Sequence, residues 1–435
     1  MSVFAFGDSG VTATIATATT ITSGTGADLI TISGTLTGAR IDLGGGSDGL
    51  ILSGPGATAT VTNVETVTGG TGNDVVTLGS ALTAGTIDLK AGSDRLVLAA
   101  GGNTLTATNV ETLFGGSGAD VVTLGTAPSA GVVNLGAGSD SLTLSAGGTL
   151  TVSNAETVTG GTGNDVVTLS TAYTGAAIDL AGGSDRLTLA AGGTLTVSNA
   201  ETIIGGTGKD VVTLGSALTG GTVDLGRGAD SLTLADVAAN TLTVKNLETL
   251  TGGTGADLVT LGSAITGATL DLAGGDDSLT LAAGGTLTVT NVETVTGGSA
   301  ADVIVITSSG VVVDAGGGND RITTGNGADT VTGGAGKDLF TFTAISQSAA
   351  GIGDTITDFA PGTDMLVFQG LRSGTFSYVG AHTNSFAGGG NSSARFNDST
   401  KVLEVDTNGD GSADMEVTLT GNSAAGLSAT NFQWS

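Results

Sequence analysis

The tetrapeptide Asn-Val-Glu-Thr, or a close variant, begins at Asn63, Asn109, Asn154, Asn199, Asn246 and Asn291, at intervals of 45 to 47 residues. Self-similarity at such a period constrains a chain to a solenoid or a propeller, because each repeat can bury its apolar face only against its neighbours. Aspartates divide the period again: Asp74 to Asp94 is 20 residues, Asp94 to Asp120 is 26, and the 20-residue step recurs from Asp28 through Asp257. Between glycine-rich corners lie "VVTL", "TIDL", "RLVL" and "TLTATNVETL", in which apolar residues alternate with Thr or charged ones. That alternation is the mark of strands, with Leu96 and Leu98 pointing inward and Arg95 and Val97 outward. Two strands and two corners then make one coil, and each repeat holds two coils. Propeller blades need four antiparallel strands and carry aromatic signatures, whereas aromatics here are 3% of the chain. The fold expected is an all-β parallel β-solenoid, a β-roll or β-helix, over residues 1–338.

In register, Asp28, Asp48, Asp74, Asp94, Asp120, Asp140, Asp165, Asp185, Asp210, Asp230, Asp257, Asp277, Asp302, Asp320 and Asp338 would fall into one column of corners, one per coil and about 4.8 Å apart. Two carboxylates ~5 Å apart repel by about 3 kcal/mol at an effective dielectric of 20 and by just under ~1 kcal/mol in water. Repeated down a column, even the lower figure rivals the ~5–15 kcal/mol net stability of a domain, so a bound cation is expected. The charge balance agrees. With 40 Asp+Glu against 12 Lys+Arg the net charge is −28, which repels nucleic acid and anionic membrane and attracts cations. Hard oxygen donors, a lone histidine and no cysteine favour calcium over zinc or copper.

The corners "GGTGND" (69–74), "GGSGAD" (115–120), "GGTGND" (160–165), "GGTGKD" (205–210) and "GGTGAD" (252–257) resemble the GGxGxDxUx nonapeptide of RTX (hemolysin-type) calcium-binding repeats. The resemblance is tightest in "GGGNDRITT", "GNGADTVTG" and "GAGKDLFTF" (316–342), where Asp329 joins the opposite corner and the nonapeptides run in register. It implies multiple Ca²⁺ ions on the fifteen aspartates above and on Asp329. The short corners depart from the motif: Leu89, Leu180 and Leu225 replace its first glycine, and Ala300 replaces the glycine two before Asp302, which marks that site as the weakest. A second acidic series (Asp42, Glu65, Asp88, Glu111, Glu156, Asp179, Glu201, Asp224, Glu248, Asp271, Glu293 and Asp314, with Asn134 in the one gap) is expected to stripe the outer face of the second strand. It reads either as a solvated face or as a low-affinity cation or partner surface.

Beyond Leu339 lie eight of the 11 Phe, the Trp and the His, so residues 339–435 are expected to form a small β cap with its own core. "GDTITDFAPGTDMLVF" (353–368) and "LEVDTNGDGSADMEVTLTG" (403–421) resemble the C-terminal module of RTX proteins exported by type I secretion, the serralysin-type proteases among them. The resemblance implies an extracellular, cell-surface address and a type I exporter as partner. An N-terminal signal peptide is not expected, since the first basic residue after Met1 is Arg40, and no apolar run approaches the ~18 residues of a membrane span. "DTNGDGSAD" (406–414) imitates an EF-hand loop, but Val417 stands at its twelfth position, so a hairpin turn is favoured. Catalysis is not expected: there is no HExxH around His382, no cysteine nucleophile, and Arg95, Arg186, Arg227 and Arg321 are scattered. The functional reading is a secreted, calcium-folded structural protein of the bacterial surface, a self-assembling surface-layer subunit in its sharp form, with cell-surface polysaccharide as a further partner. The alternatives are a calcium-dependent adhesin or biofilm-matrix protein and, least favoured, a β-helix polysaccharide-active enzyme.

Overall fold

A computed structural model describes residues 2–236 and 238–435; Met1 and Val237, both inside the expected repeat array, lie outside the described residues. Strands three to seven residues long follow one another with glycine-rich corners between them. The chain forms two compact units, one ending at Ser216 and one spanning Ala217–Ser435.

In the first unit successive strands alternate between two parallel sheets, the arrangement of a β-solenoid. Val75–Leu78, Arg95–Val97 and Thr112–Gly116 are hydrogen-bonded neighbours in one sheet, and Gly85–Asp88 and Thr104–Thr108 are neighbours in the other. Period-2 patterning places the core as expected, with Leu96 and Leu98 buried and Arg95 exposed. Outward positions stack into ladders. Thr66, Thr86, Thr106, Thr123, Thr143 and Thr159 are consecutive partners on one face, where β-branched side chains pack well along the pleat.

The expectation of two coils per repeat is corrected. The repeat beginning at Val75 contains five strands, Val75–Leu78, Gly85–Asp88, Arg95–Val97, Thr104–Thr108 and Thr112–Gly116, hence two and a half coils. The stretch "TLTATNVETL" is two strands, because Asn109 adopts a left-handed conformation (φ 54°) and turns the chain. All six asparagines of the repeated tetrapeptide do the same, at φ 52–54°. Asn tolerates this region better than other residues with a Cβ. An odd strand count has a topological consequence: the next repeat opens with Val121–Leu124 in the opposite sheet, paired to Thr104–Thr108. Each repeat is therefore turned by half a coil relative to the last.

The second unit continues in the same manner from Thr219–Asp224 to Leu339–Phe342 and then changes character. Met365–Phe368 extends one sheet in parallel and Phe432–Trp434 closes it. Asp354–Ile356 leads in the other sheet to Met415–Leu419, which pairs antiparallel with Val402–Asp406, itself antiparallel to Ser393–Asn397. Aromatic rings fill this end: Phe342 stacks on Phe368 (5.5 Å), Phe368 on Trp434 (4.6 Å), and Trp434 meets Phe376 (4.8 Å). The segment 406–414 is a hairpin connection, with the Asp406 carboxylate accepting from the N–H groups of Gly409 (2.6 Å) and Gly411 (2.9 Å). His382 is half-exposed and its Nδ1 lies 2.8 Å from the Glu404 carboxylate, which also pairs with Arg395.

Candidate cation sites

The aspartates do not form one column. Asp28 and Asp48 precede strands of one sheet, Asp74 and Asp94 precede strands of the other, and Asp120 and Asp140 return to the first corner. The half-coil turn of each repeat is the cause. Asp302, Asp320 and Asp338 share one corner, and Asp329 occupies the other.

Within each corner the carboxylates are built into a hydrogen-bonded ladder. The N–H of Asp74 donates to Oδ1 of Asp94 (2.6 Å), and the N–H of Asp94 donates to Oε2 of Glu111 (2.7 Å). The same Asp–Asp–Glu triad is formed by Asp28, Asp48 and Glu65; by Asp120, Asp140 and Glu156; by Asp165, Asp185 and Glu201; and by Asp257, Asp277 and Glu293. Asp230 donates likewise to Glu248 (2.7 Å), and Oδ1 of Asp210 accepts from Gly193 (3.1 Å). In the nonapeptide coils the ladder runs Asp302, Asp320, Asp338 and Asp364, while Asp329 is followed by Asp354. Ala300 leaves the ladder intact, since Oδ1 of Asp302 accepts from Gly285 and the N–H of Asp302 donates to Asp320.

Asp364, Asp354 and the glutamates were missed as members of these corners. The glutamate offered a signal, its fixed place two residues after the left-handed asparagine. The members of the second acidic series are exposed or half-buried, as an outer face requires, but they do not form one stripe. The glutamates end the triads, and Asp314 accepts from the N–H of Gly316. Asp42, Asp88, Asp179, Asp224 and Asp271 sit at strand ends where Oδ1 accepts from an asparagine one coil on, as Asp88 does from Asn109 (2.7 Å) and Asp271 from Asn291 (2.8 Å). Asn134 takes the same role toward Asn154 (2.8 Å).

The aspartates are removed from solvent although their corners lie at the molecular edge. Asp48, Asp94, Asp140, Asp185 and Asp277 are at most 2% exposed. Burial pushes Asp94 and Asp277 up to about 6, with the flanking Asp and Glu of each triad adding to the rise against the backbone N–H bond. Burial likewise raises Asp48, Asp140, Asp185, Asp320 and Asp338, and takes Asp354 to about 7. The first and second aspartates of a triad differ except in the first triad, where Oδ2 of Asp28 is partnerless as well. Oδ2 of Asp74, Asp120, Asp165 and Asp257 accepts from a glycine N–H four residues upstream, whereas Oδ2 of Asp48, Asp94, Asp140, Asp185 and Asp277 is buried without a protein partner. A buried ionised oxygen with no partner is among the costliest groups a protein can hold.

A model of the serralysin C-terminal region of M10 peptidases matches residues 11–429. The chain belongs to the serralysin C-terminal family. It is built from that family's RTX repeats, a calcium-binding and typically structural β-roll, and proteins carrying such repeats are typically secreted. A search of curated protein sequences finds no significant match. Among solved structures, it is similar to the R3 subunit of a mannuronan C5-epimerase from Azotobacter vinelandii (27% identity, TM-score 0.24, covering 32% of this chain and 76% of that one). It is similar also to the R2 subunit (23% identity, TM-score 0.22, covering 40% and 87%).

The residues of this RTX chain fit calcium. At Gly92 the place a Cβ would occupy is bounded by Oδ1 of Asp94 and the carbonyl oxygen of Gly72, each 2.7 Å away, and Gly138 and Gly183 present the same pairing with Asp140 and Asp185. Cradles of carboxylate and carbonyl oxygen suit a hard cation with ~2.3–2.6 Å bonds. Among the described residues no three acidic or imidazole side chains converge on one point, so such an ion would be held by carboxylates of adjacent coils together with backbone carbonyls. Bound there, calcium supplies the positive charge that the partnerless oxygens lack. No helix among the described residues is long and apolar enough to cross a membrane.

Proposed function

We propose that this chain is a secreted structural protein that folds on meeting extracellular calcium and assembles, as a subunit of a bacterial surface layer, into an ordered sheet. The observation that carries the calcium half of the reading is the recurrence of buried, partnerless Oδ2 atoms on Asp28, Asp48, Asp94, Asp140, Asp185, Asp277, Asp302, Asp320 and Asp338. Ions at these residues and at Asp74, Asp120, Asp165, Asp210, Asp230, Asp257 and Asp329 would neutralise the corners. Where Ca²⁺ is scarce the chain stays unfolded and exportable, and millimolar Ca²⁺ outside the cell folds it. Residues 1–338 serve as the repeat array, and 339–435 as the capping module that a type I exporter recognises. The chain is not a catalyst in this reading. Assembly is supported by the dominance of the array and by outward ladders such as Thr66, Thr86, Thr106, Thr123, Thr143 and Thr159, which offer a regular face in the first unit. The test has two arms on the purified chain. Circular dichroism with chelator and then with millimolar Ca²⁺ should show β structure appearing, and negative-stain electron microscopy should then show a lattice. A full β spectrum in chelator rejects the calcium half, and monodisperse particles at high protein and Ca²⁺ concentration reject the lattice in favour of a soluble adhesin.

A further inference from the structure

The glutamate that closes each triad lies outside the RTX nonapeptide and is tied to the coil below it by one hydrogen bond, from the N–H of the second aspartate. That bond uses Oε2 in every case, at 2.7–2.8 Å, and leaves the second oxygen of the carboxylate unused. A neutral glutamine or a serine could cap the same N–H. Instead a full negative charge is set against an aspartate whose own Oδ2 is buried and without a partner, at Asp48, Asp94, Asp140, Asp185 and Asp277. Like charges this close are a destabilising choice for a plain cap. At the first triad the corner opens into a hollow of about 470 Å³ lined by Asp28, Asp48, Glu65 and Thr66, room enough for a hydrated ion to enter.

We infer that the glutamate of each triad is a calcium ligand outside the nonapeptide motif that completes the site of the second aspartate, with Ca²⁺ held between Asp48 and Glu65, Asp94 and Glu111, Asp140 and Glu156, Asp185 and Glu201, and Asp277 and Glu293. The glutamate is the ligand that compensates for the leucine standing in place of the motif's first glycine in short corners such as 89–94 and 180–185. Its carboxylate and the aspartate's Oδ2 come from adjacent coils, so the ion ties one turn of the solenoid to the next. Water and backbone carbonyls complete a shell of six to eight oxygens, as this ion requires.

The inference rests on the calcium reading above, and the experiment separates the two. Glutamine keeps an oxygen to accept the aspartate N–H while removing the charge, so Glu→Gln spares a cap and abolishes an ion site. Equilibrium dialysis with radioactive calcium on the full chain counts bound ions for the wild type, for the single variant Glu111→Gln, and for a variant with Gln at positions 65, 111, 156, 201 and 293. The expected result is one ion fewer in the single variant and five fewer in the multiple one, with circular dichroism in Ca²⁺ showing the single variant folded. Unchanged stoichiometry and affinity in a folded Glu111→Gln chain overturns the inference and leaves the glutamates as caps. A wild type that binds no calcium sinks the calcium reading itself, and this inference with it.

Discussion

Protonation is the other way to neutralise the partnerless carboxylates, so acid should partly replace calcium. The perturbation is to strip the chain with chelator, dialyse it into metal-free buffer and compare pH 5, 6 and 7.5. Burial lifts Asp94 and Asp277 from an ordinary 3.8 to about 6 and Asp354 to about 7. Because these folded-state values lie above the unfolded ones, the folded chain holds the protons more tightly. The ion-free fold carries no penalty from these groups below about pH 4, and the penalty grows as pH rises through 6 to 7. At full strength the shifts correspond to about 3 kcal/mol for each of Asp94 and Asp277 and about 4 kcal/mol for Asp354. Water at the corners screens this to roughly 5 kcal/mol in total, which is still comparable to the net stability of a domain.

Thermal melts followed by far-ultraviolet circular dichroism read the effect. About half of this penalty is already present at pH 5, and Asp277 and Asp354 share the second unit while Asp94 lies in the first. For a unit of about 200 residues the remaining ~2 kcal/mol in the second unit corresponds to a fall in Tm of roughly 4–8 °C between pH 5 and 7.5. With saturating Ca²⁺ the pH dependence should shrink, since the ion neutralises the same groups. Asp88 works in the other direction: burial opposes its charge, but hydrogen bonds from Lys90 and Asn109 outweigh that and hold it below the ordinary value. Its contribution is lost only on acidification below pH 4, outside the range tested. A metal-free chain whose Tm is constant or rises from pH 5 to 7.5 would show that charge on the buried carboxylates does not limit the ion-free fold.

Substitutions at four positions probe the corners further. Asp94→Asn keeps the oxygen that accepts from Asp74 but removes the buried charge, so it should raise the metal-free Tm and lower the Tm in Ca²⁺; the same sign in both media would contradict a cation role at this residue. Asn109→Ala loses both the bond to Asp88 and the residue type that tolerates φ 54°, and should cost about 1–2 kcal/mol by chemical denaturation in Ca²⁺, with Asn109→Gly costing less. In the short corners the residue after the buried leucine is left-handed whether it is Gly226 (φ 82°), Lys90 (φ 68°) or Ala181 (φ 62°). Ala181→Gly should therefore stabilise by up to about 1 kcal/mol and Gly226→Ala should destabilise by a similar amount, read from the same denaturation curves.

Strand identity, inward and outward faces and the corner position of each aspartate were legible because they depend on local patterning: Leu96 and Leu98 are buried and Asp94 heads its strand. The number of strands per repeat was not. "TLTATNVETL" alternates correctly along its length, and the break at Asn109 appears only as one turn-prone residue within a run of ten, longer than the five or six residues usual for a strand. Miscounting by one strand moves every second pair of aspartates to the wrong corner. It also hid the glutamates, since residues 17 or so apart in sequence become vertical neighbours only when the turn at the asparagine is counted. The cap's ladder members, Asp354 and Asp364, belong to segments of different spacing, 25 and 26 residues after their partners, so no repeat pointed to them.

The half-coil turn also decides how much repulsion the fold must contain. Along one corner the triad ending at Glu65 is followed by a coil with Leu82, then one with Asn103, before Asp120 opens the next triad. Pro128 and Tyr173 take the place of Leu82 in later coils. Three coil rises separate one triad from the next, about 14 Å, which exceeds the ~8 Å Debye length at physiological ionic strength. Within a triad the two neighbouring pairs and the outer pair repel by about 2 kcal/mol in water and by about 8 kcal/mol at a dielectric of 20. The charge of a long column is thereby divided into separate packets, each small enough for one or two divalent ions to neutralise. Asn103 shows that this spacing is built in: it is fully buried in the column just before Asp120, and its neutral amide donates to the Asp120 carboxylate (2.8 Å) where another aspartate would repel it.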